Sequence, residues 1–122
     1  MISINEFIYK KLSNSTAITS KAKQITPAVI QNMDGVPAIT YNRIWEHRTG
    51  IARIGNYQIS IRASKLEQAE EIADIVVDLF SGLKEAPIRS CTLTGVNQGY
   101  YKEERLHGIH ISLRFKLVDE HF

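Results

Sequence analysis

The stretch YQISIRASKLEQAEEIADIVVDLF, Tyr57 to Phe80, changes its hydrophobic period near Ser64 and thereby sets the fold class. Tyr57, Ile59, Ile61 and Ala63 alternate with Gln58, Ser60 and Arg62, the two-residue repeat of a strand with one buried face. From Leu66 the apolar residues advance by three and four through Ala69, Ala73, Val76 and Phe80, with Ile72 and Leu79 widening the stripe. That spacing predicts an amphipathic helix over residues 65–81. Ser64 and Glu67 have capping-box spacing at its start. Gly82 and Leu83 suit a left-handed, Schellman-type end, and Pro87 prevents continuation. The outer face carries Glu67, Glu70, Glu71, Asp74 and Asp78, whose plain reading is a solvated surface.

Downstream, residues 88–97 read as one arm of a long hairpin, and Asn97-Gln98-Gly99 opens a polar connection through Glu104. In the second arm Ile109, Ile111, Leu113, Phe115 and Leu117 alternate with His110, Ser112, Arg114 and Lys116, so one sheet face is apolar and the other polar and basic. Upstream, Ile4, Phe7, Ile8 and Leu12 form the stripe of a short helix, with Ser3 and Glu6 as a capping box, Ile2 and Phe7 as a hydrophobic staple, and Asn14-Ser15-Thr16 ending it. Ile25 and Ala28-Val29-Ile30 are strand-like, with Pro27 placing the segment at a sheet edge or an irregular crossing. Asp34-Gly35 signals a turn, Ala38 to Trp45 a further strand, and residues 46–56 a long polar loop. A sheet with one apolar face and two amphipathic helices is satisfied by an α+β layer structure. The expected fold is a mainly antiparallel, twisted sheet with both helices covering one face and a long C-terminal β-hairpin, as a single domain over residues 1–122.

At 122 residues and 43% hydrophobic content, the chain suffices for one modest core. Fifteen Lys and Arg against thirteen Asp and Glu give a net charge of +2, too balanced to advertise nucleic acid or a membrane surface. A lone cysteine, Cys91, excludes an internal disulfide, and no apolar run reaches the roughly 18 residues of a membrane span. The N-terminus has no signal-peptide apolar region, so the expectation is a soluble chain made and kept in a reducing cytoplasm.

Catalytic chemistry finds no anchor. There is no phosphate-binding glycine loop and no Gly-x-Ser-x-Gly elbow. His107 and His110 fall on opposite faces of a strand, which is poor for sharing a metal, and Cys91 reads as a buried, inert thiol. No cofactor is expected. Arg62, Arg114 and Lys116 could line the outer sheet face, with Arg43, Arg48 and Arg53 near the loop after the second strand. A small α+β module binding nucleic acid on that face is therefore the alternative function, weakened by the balanced charge. The remaining reading is an interaction protein, with aromatic and arginine anchors at Trp45 beside Glu46, His47 and Arg48, and at Tyr100 and Tyr101 beside Lys102 and Arg105.

Several segments together resemble the tail completion, or tail terminator, family of long-tailed bacteriophages and prophages. They are Ile25-Thr26-Pro27 after a short helix, Pro37-Ala38-Ile39-Thr40-Tyr41, the Tyr57–Ala63 strand running into the Glu67-to-Ile72 helix segment, and the closing arm Gly108 to Leu117. Thr26 and Ala38 stand where relatives carry an aromatic residue. The resemblance implies a non-enzymatic virion protein at the head-to-tail junction, assembled in the bacterial host cytoplasm. Its members cap the tail tube as rings, usually of six copies, and their partners are the tail tube protein and a head-closure or connector protein. A head-to-tail ring needs two unlike surfaces on each copy. Here those would be Glu70, Glu71 and Asp74 on the helix and Arg62, Arg114 and Lys116 on the sheet. Loop contacts to other neck or tail proteins would fall on Glu46, His47, Arg48 and Arg53, and on Tyr100, Tyr101, Lys102 and Arg105.

Overall fold

Five strands form a sheet in the order β1-β2-β3-β5-β4, with every pairing antiparallel except β1 against β2. The computed structural model describes residues 3–32 and 34–118. In chain order the elements are α1 (Ile4–Ser13), α2 (Thr16–Thr19), β1 (Gln24–Pro27), β2 (Ala38–Thr49), β3 (Ala52–Ala63), α3 (Leu66–Phe80), β4 (Ile88–Tyr101) and β5 (Leu106–Val118). This is the α+β arrangement expected, with α1 and α3 on one face of the sheet and β4–β5 as the C-terminal hairpin.

The core lies between that face and the helices. Ile4, Ile8 and Leu12 of α1 and Ala69, Ile72, Val76 and Phe80 of α3 meet Ile39, Ile59, Ile61, Ile111 and Leu113 of the sheet. Phe115 is fully buried at its centre, with edge-on contacts to Phe7, Tyr57 and Phe80 at centroid distances of 6.5, 5.7 and 6.2 Å. Cys91 is buried beside it in register, and burial pushes its thiol up to about 12.

Helix starts divide in their agreement with the spacing rules. Ser3 caps α1 by accepting a hydrogen bond from the Glu6 amide at 3.2 Å, while the Glu6 carboxylate pairs with Lys10 at 3.2 Å. Ile2, the other half of the expected staple, lies outside the described residues. Asn14 ends α1, and Ser15 caps α2, a single extra turn that buries Ile18. The capping box at Ser64 does not form: α3 begins at Leu66 after Lys65, with no side-chain cap, because its apolar face docks the first turn on the core. The Schellman end is also replaced. Ser81 (φ −66°, ψ 121°) and Gly82 (φ 77°) make a type II turn closed by the Leu83 amide on the Phe80 carbonyl at 3.1 Å.

Three strand boundaries are corrected. The 46–56 loop does not exist: β2 runs to Thr49 and β3 starts at Ala52, joined by Gly50 and Ile51 alone. Gly50, at φ 58°, supplies the positive angle that a two-residue II′ hairpin turn requires at its first central position. The Asn97–Glu104 connection shrinks to residues 102–105, since β4 continues through Tyr101, paired with Leu106. Ala28-Val29-Ile30 is not strand. Ala28 turns the chain at φ 65°, and the segment crosses back under the control of Gln24. Gln24 Oε1 accepts from the Gln31 and Asn32 amides, and Nε2 donates to the Asn32 and Gly35 carbonyls at 2.5 and 2.7 Å.

Candidate assembly surfaces

The sheet face away from the helices is polar because β3 and β5 place their alternate residues there. In register, Arg62 stands beside Gly108, Ser60 beside His110, Gln58 beside Ser112 and Asn56 beside Arg114. His110 is the hub. Its Nδ1 lies 2.8 Å from Ser60 Oγ, and its Nε2 lies 2.5 Å from the Tyr101 hydroxyl. Gln58 Nε2 donates to Ser60 Oγ at 3.0 Å. Burial, and secondarily the Arg62 charge, hold the imidazole below its ordinary pKa, so it is neutral near pH 7. Arg62 lies over the Tyr101 ring, 4.5 Å from its centroid. That ring covers Gly108, where an added Cβ would come within 2.5 Å of a ring carbon. Ser60 is buried, and the second nitrogen of His110 meets a tyrosine instead of a carboxylate, so this trio orients the strands and does not resemble an activated nucleophile.

Beside this network a cleft of about 350 Å³ opens between the 28–30 segment and the sheet, lined by Val29, Ile30, Arg62, Tyr101, Glu104 and Leu106. Among the described residues no group of three His, Cys, Asp or Glu side chains could hold a metal.

The residues expected in loops lie largely on strands. Glu46, in register with Gly55, and Arg53, in register with Arg48, lie diagonally across the far end of the β2–β3 hairpin, on the helix side of the sheet. Arg53 is 4% exposed, and its guanidinium donates to Glu46 Oε1 from Nη2 at 2.6 Å and from Nε at 3.0 Å. Arg43 reaches the other carboxylate oxygen at 3.4 Å. Both side chains of this pair are largely buried, so the ion pair ties β2 to β3. Beneath it, burial, helped by Glu46, raises the Tyr57 phenol above its usual range. His47, Arg48, Ile44, Trp45 and Ile51 are exposed at the same tip. At the opposite end, Tyr100 is exposed and stacks on His107 at 4.8 Å, while Tyr101 turns inward to His110. Only Lys102 and Arg105, at φ 57°, belong to a turn.

The two charged sets expected to form a subunit contact are on opposite sides of the sheet. Glu70, Glu71 and Asp74 are exposed on α3, and Lys21 pairs with Glu71 at 3.1 Å. Arg114 and Lys116 are exposed on the outer face, with Arg62 half-buried. No contact between the two sets forms within one chain. The His110 network has no signature in the sequence, because a loop over 98–104 gives Tyr101 no register; its pairing with Leu106 at the end of β4 brings it to His110.

No protein-family model and no curated protein matches the chain. In fold the chain is similar to one in a solved structure described as the virion of a native gene transfer agent particle, with a TM-score of 0.67 and 14% identity over 91% of each chain.

Proposed function

We propose that the chain is a structural virion protein of a phage or phage-like particle, one that caps the tail tube as a ring, ends tube polymerisation and offers the surface for joining the tail to the head connector. The observation that carries this reading is the fold it shares, over 91% of both chains, with a component of a gene transfer agent virion. Its surfaces suit the role. The acidic exterior of α3 and the basic outer sheet face are unlike and opposed, as copies joined head to tail require. The expected partners are further copies of the chain, the tail tube protein and a head-closure or connector protein.

Electron microscopy of particles made without the gene tests the proposal. Overlong tails detached from filled heads are the expected result. Normal-length tails unattached to heads would move the role to the head-closure side, and complete particles would remove it. A basic face that bound nucleic acid with a steep salt dependence would instead favour the binding-module reading.

A further inference from the structure

Among the described residues, each edge of the sheet has a stretch with no strand beside it. β4 is an outermost strand of 14 residues whose one strand neighbour is β5, and its outer side is engaged at Cys91, whose carbonyl accepts from the Gly82 amide at 2.9 Å. From Ser90 to Tyr101 it contains no charged residue and no proline, with Thr92, Thr94, Val96, Asn97, Gln98 and Tyr100 exposed. Natural sheets usually protect such an edge with lysines, prolines or a short strand, because its unpaired N–H and C=O groups recruit another strand. Register shifts after Ile88 and Leu93 interrupt β4, the first of them at Arg89, its one charged residue. At the other end of the sheet, β1 stops at Pro27, opposite Tyr41, so β2 from Asn42 to Thr49 has a strand on its β3 side only. Two of the exposed apolar side chains, Ile44 and Trp45, sit on this bare half.

We infer that copies of this chain join edge to edge, with residues 42–45 of β2 of one copy pairing with residues 92–95 of β4 of the next. Three features of the fold support the match. Counting across the antiparallel pairings, β2 runs opposite to β4, so a neighbour placed beside β4 in the same orientation presents β2 antiparallel to it. The bare stretches are also at one level. Trp45 lies in register through Asn56 and Arg114 with Thr92, and Asn42 through Gln58 and Ser112 with Gly95. The charges are compatible too: residues 92–95 of β4 carry no charge to oppose Arg43 of β2, and the like charges Arg89 and Arg48 lie beyond the paired stretch. Two β2 edges paired with each other would set arginines against arginines. Two β4 edges paired by a two-fold would leave Ile44 and Trp45 uncovered in both copies. Pairing β2 to β4 uses both edges of every copy and continues the sheet around a closed ring.

This joint rests on the ring part of the proposed function and not on its tail part. It also differs from a joint in which the α3 carboxylates meet Arg114 and Lys116, and the experiment separates the two. In a Cys91→Ala background, Trp45→Cys is combined in turn with Ser90→Cys, Thr92→Cys or Asn97→Cys, all on the outer face, and oxidised both purified and in a producing lysate. Within one chain these positions are separated by β3 and β5, about 14 Å at ordinary strand spacing, beyond the reach of a disulfide. A ladder of trimers and higher multimers from at least one pair is expected, lost on adding Thr94→Lys and Val96→Lys but retained with Arg114→Glu and Lys116→Glu. Circular dichroism confirms that each variant is folded. A ladder stopping at dimers, with Thr92→Cys alone giving the same dimer, would establish a two-fold β4 contact and overturn the inference. Folded variants with no ladder, or a ladder lost only with Arg114→Glu and Lys116→Glu, would overturn it as well. A ladder from a chain whose absence leaves particles complete would keep the joint and discard the tail role.

Discussion

The Tyr101 hydroxyl lies 2.5 Å from His110 Nε2, which fastens the last residue of the edge strand to the middle of the polar sheet face. The imidazole is held below its usual 6.5, first by burial and then by Arg62. The unfolded chain therefore takes up this proton at higher pH than the folded one. Stability present above pH 6.5 should fall as the pH drops toward the folded-state value. Thermal melts above and below that pH should show a larger loss for the wild type than for His110→Asn. Equal losses would show that other groups set the acid response.

Gly108 should tolerate no side chain while Tyr101 is in place. Gly108→Ala puts a methyl within 2.5 Å of the ring, and displacing the ring also breaks its contacts with His110 and Arg62. A loss of about 1–3 kcal/mol is expected from urea unfolding, in the range of other overpacked sites. In a Tyr101→Ala background the same substitution should cost much less. Equal costs in both backgrounds would mean that the ring is not what excludes the methyl.

The Glu46–Arg53 pair should be far more sensitive to loss of one member than of both. Arg53→Met alone leaves a nearly buried carboxylate without its main partner and should cost about 3–5 kcal/mol. Glu46→Leu together with Arg53→Met should recover most of that. If the double variant is no more stable than either single one, the pair is not the source of the loss.

Gln24→Ala should loosen the crossing between β1 and β2 without melting the sheet. Four backbone groups of residues 31–35 lose their amide partner. Hydrogen exchange at the Gln31 and Asn32 amides should accelerate, while amides in β3 and β5 keep their protection. Acceleration spread evenly over the sheet would mean that Gln24 supports global stability instead.

The helices and buried strands were legible because their signal is periodic burial: Leu66 to Phe80 and Ile109 to Leu117 repeat every three or four residues and every two residues, respectively. The hairpin ends were not legible. Asn97, Gln98 and Gly99 resemble loop residues, yet they pair with His110, Ile109 and Gly108 on an edge that solvent reaches, where polar side chains cost nothing. Glu46 and Arg53 likewise resemble loop charges, and only their pairing across the hairpin allows them to be buried in strands. Gly50 held the turn signal, but without the Asn or Asp that usually accompanies it. The His110 site was lost for the same reason, since a strand ended four residues early leaves Tyr101 without a register.

The two-residue turn at Gly50-Ile51 has a thermodynamic consequence for assembly. A free loop of eleven residues, as the sequence suggested for 46–56, would surrender about 1–2 kcal/mol of backbone entropy per residue on becoming ordered. The hairpin has already met that cost on folding, through its ladder and the Glu46–Arg53 contact. A partner docking at this tip would then meet a rigid shape, so even a modest contact area could hold it. Its heat-capacity change on association would reflect only the surface covered, with no added contribution from folding.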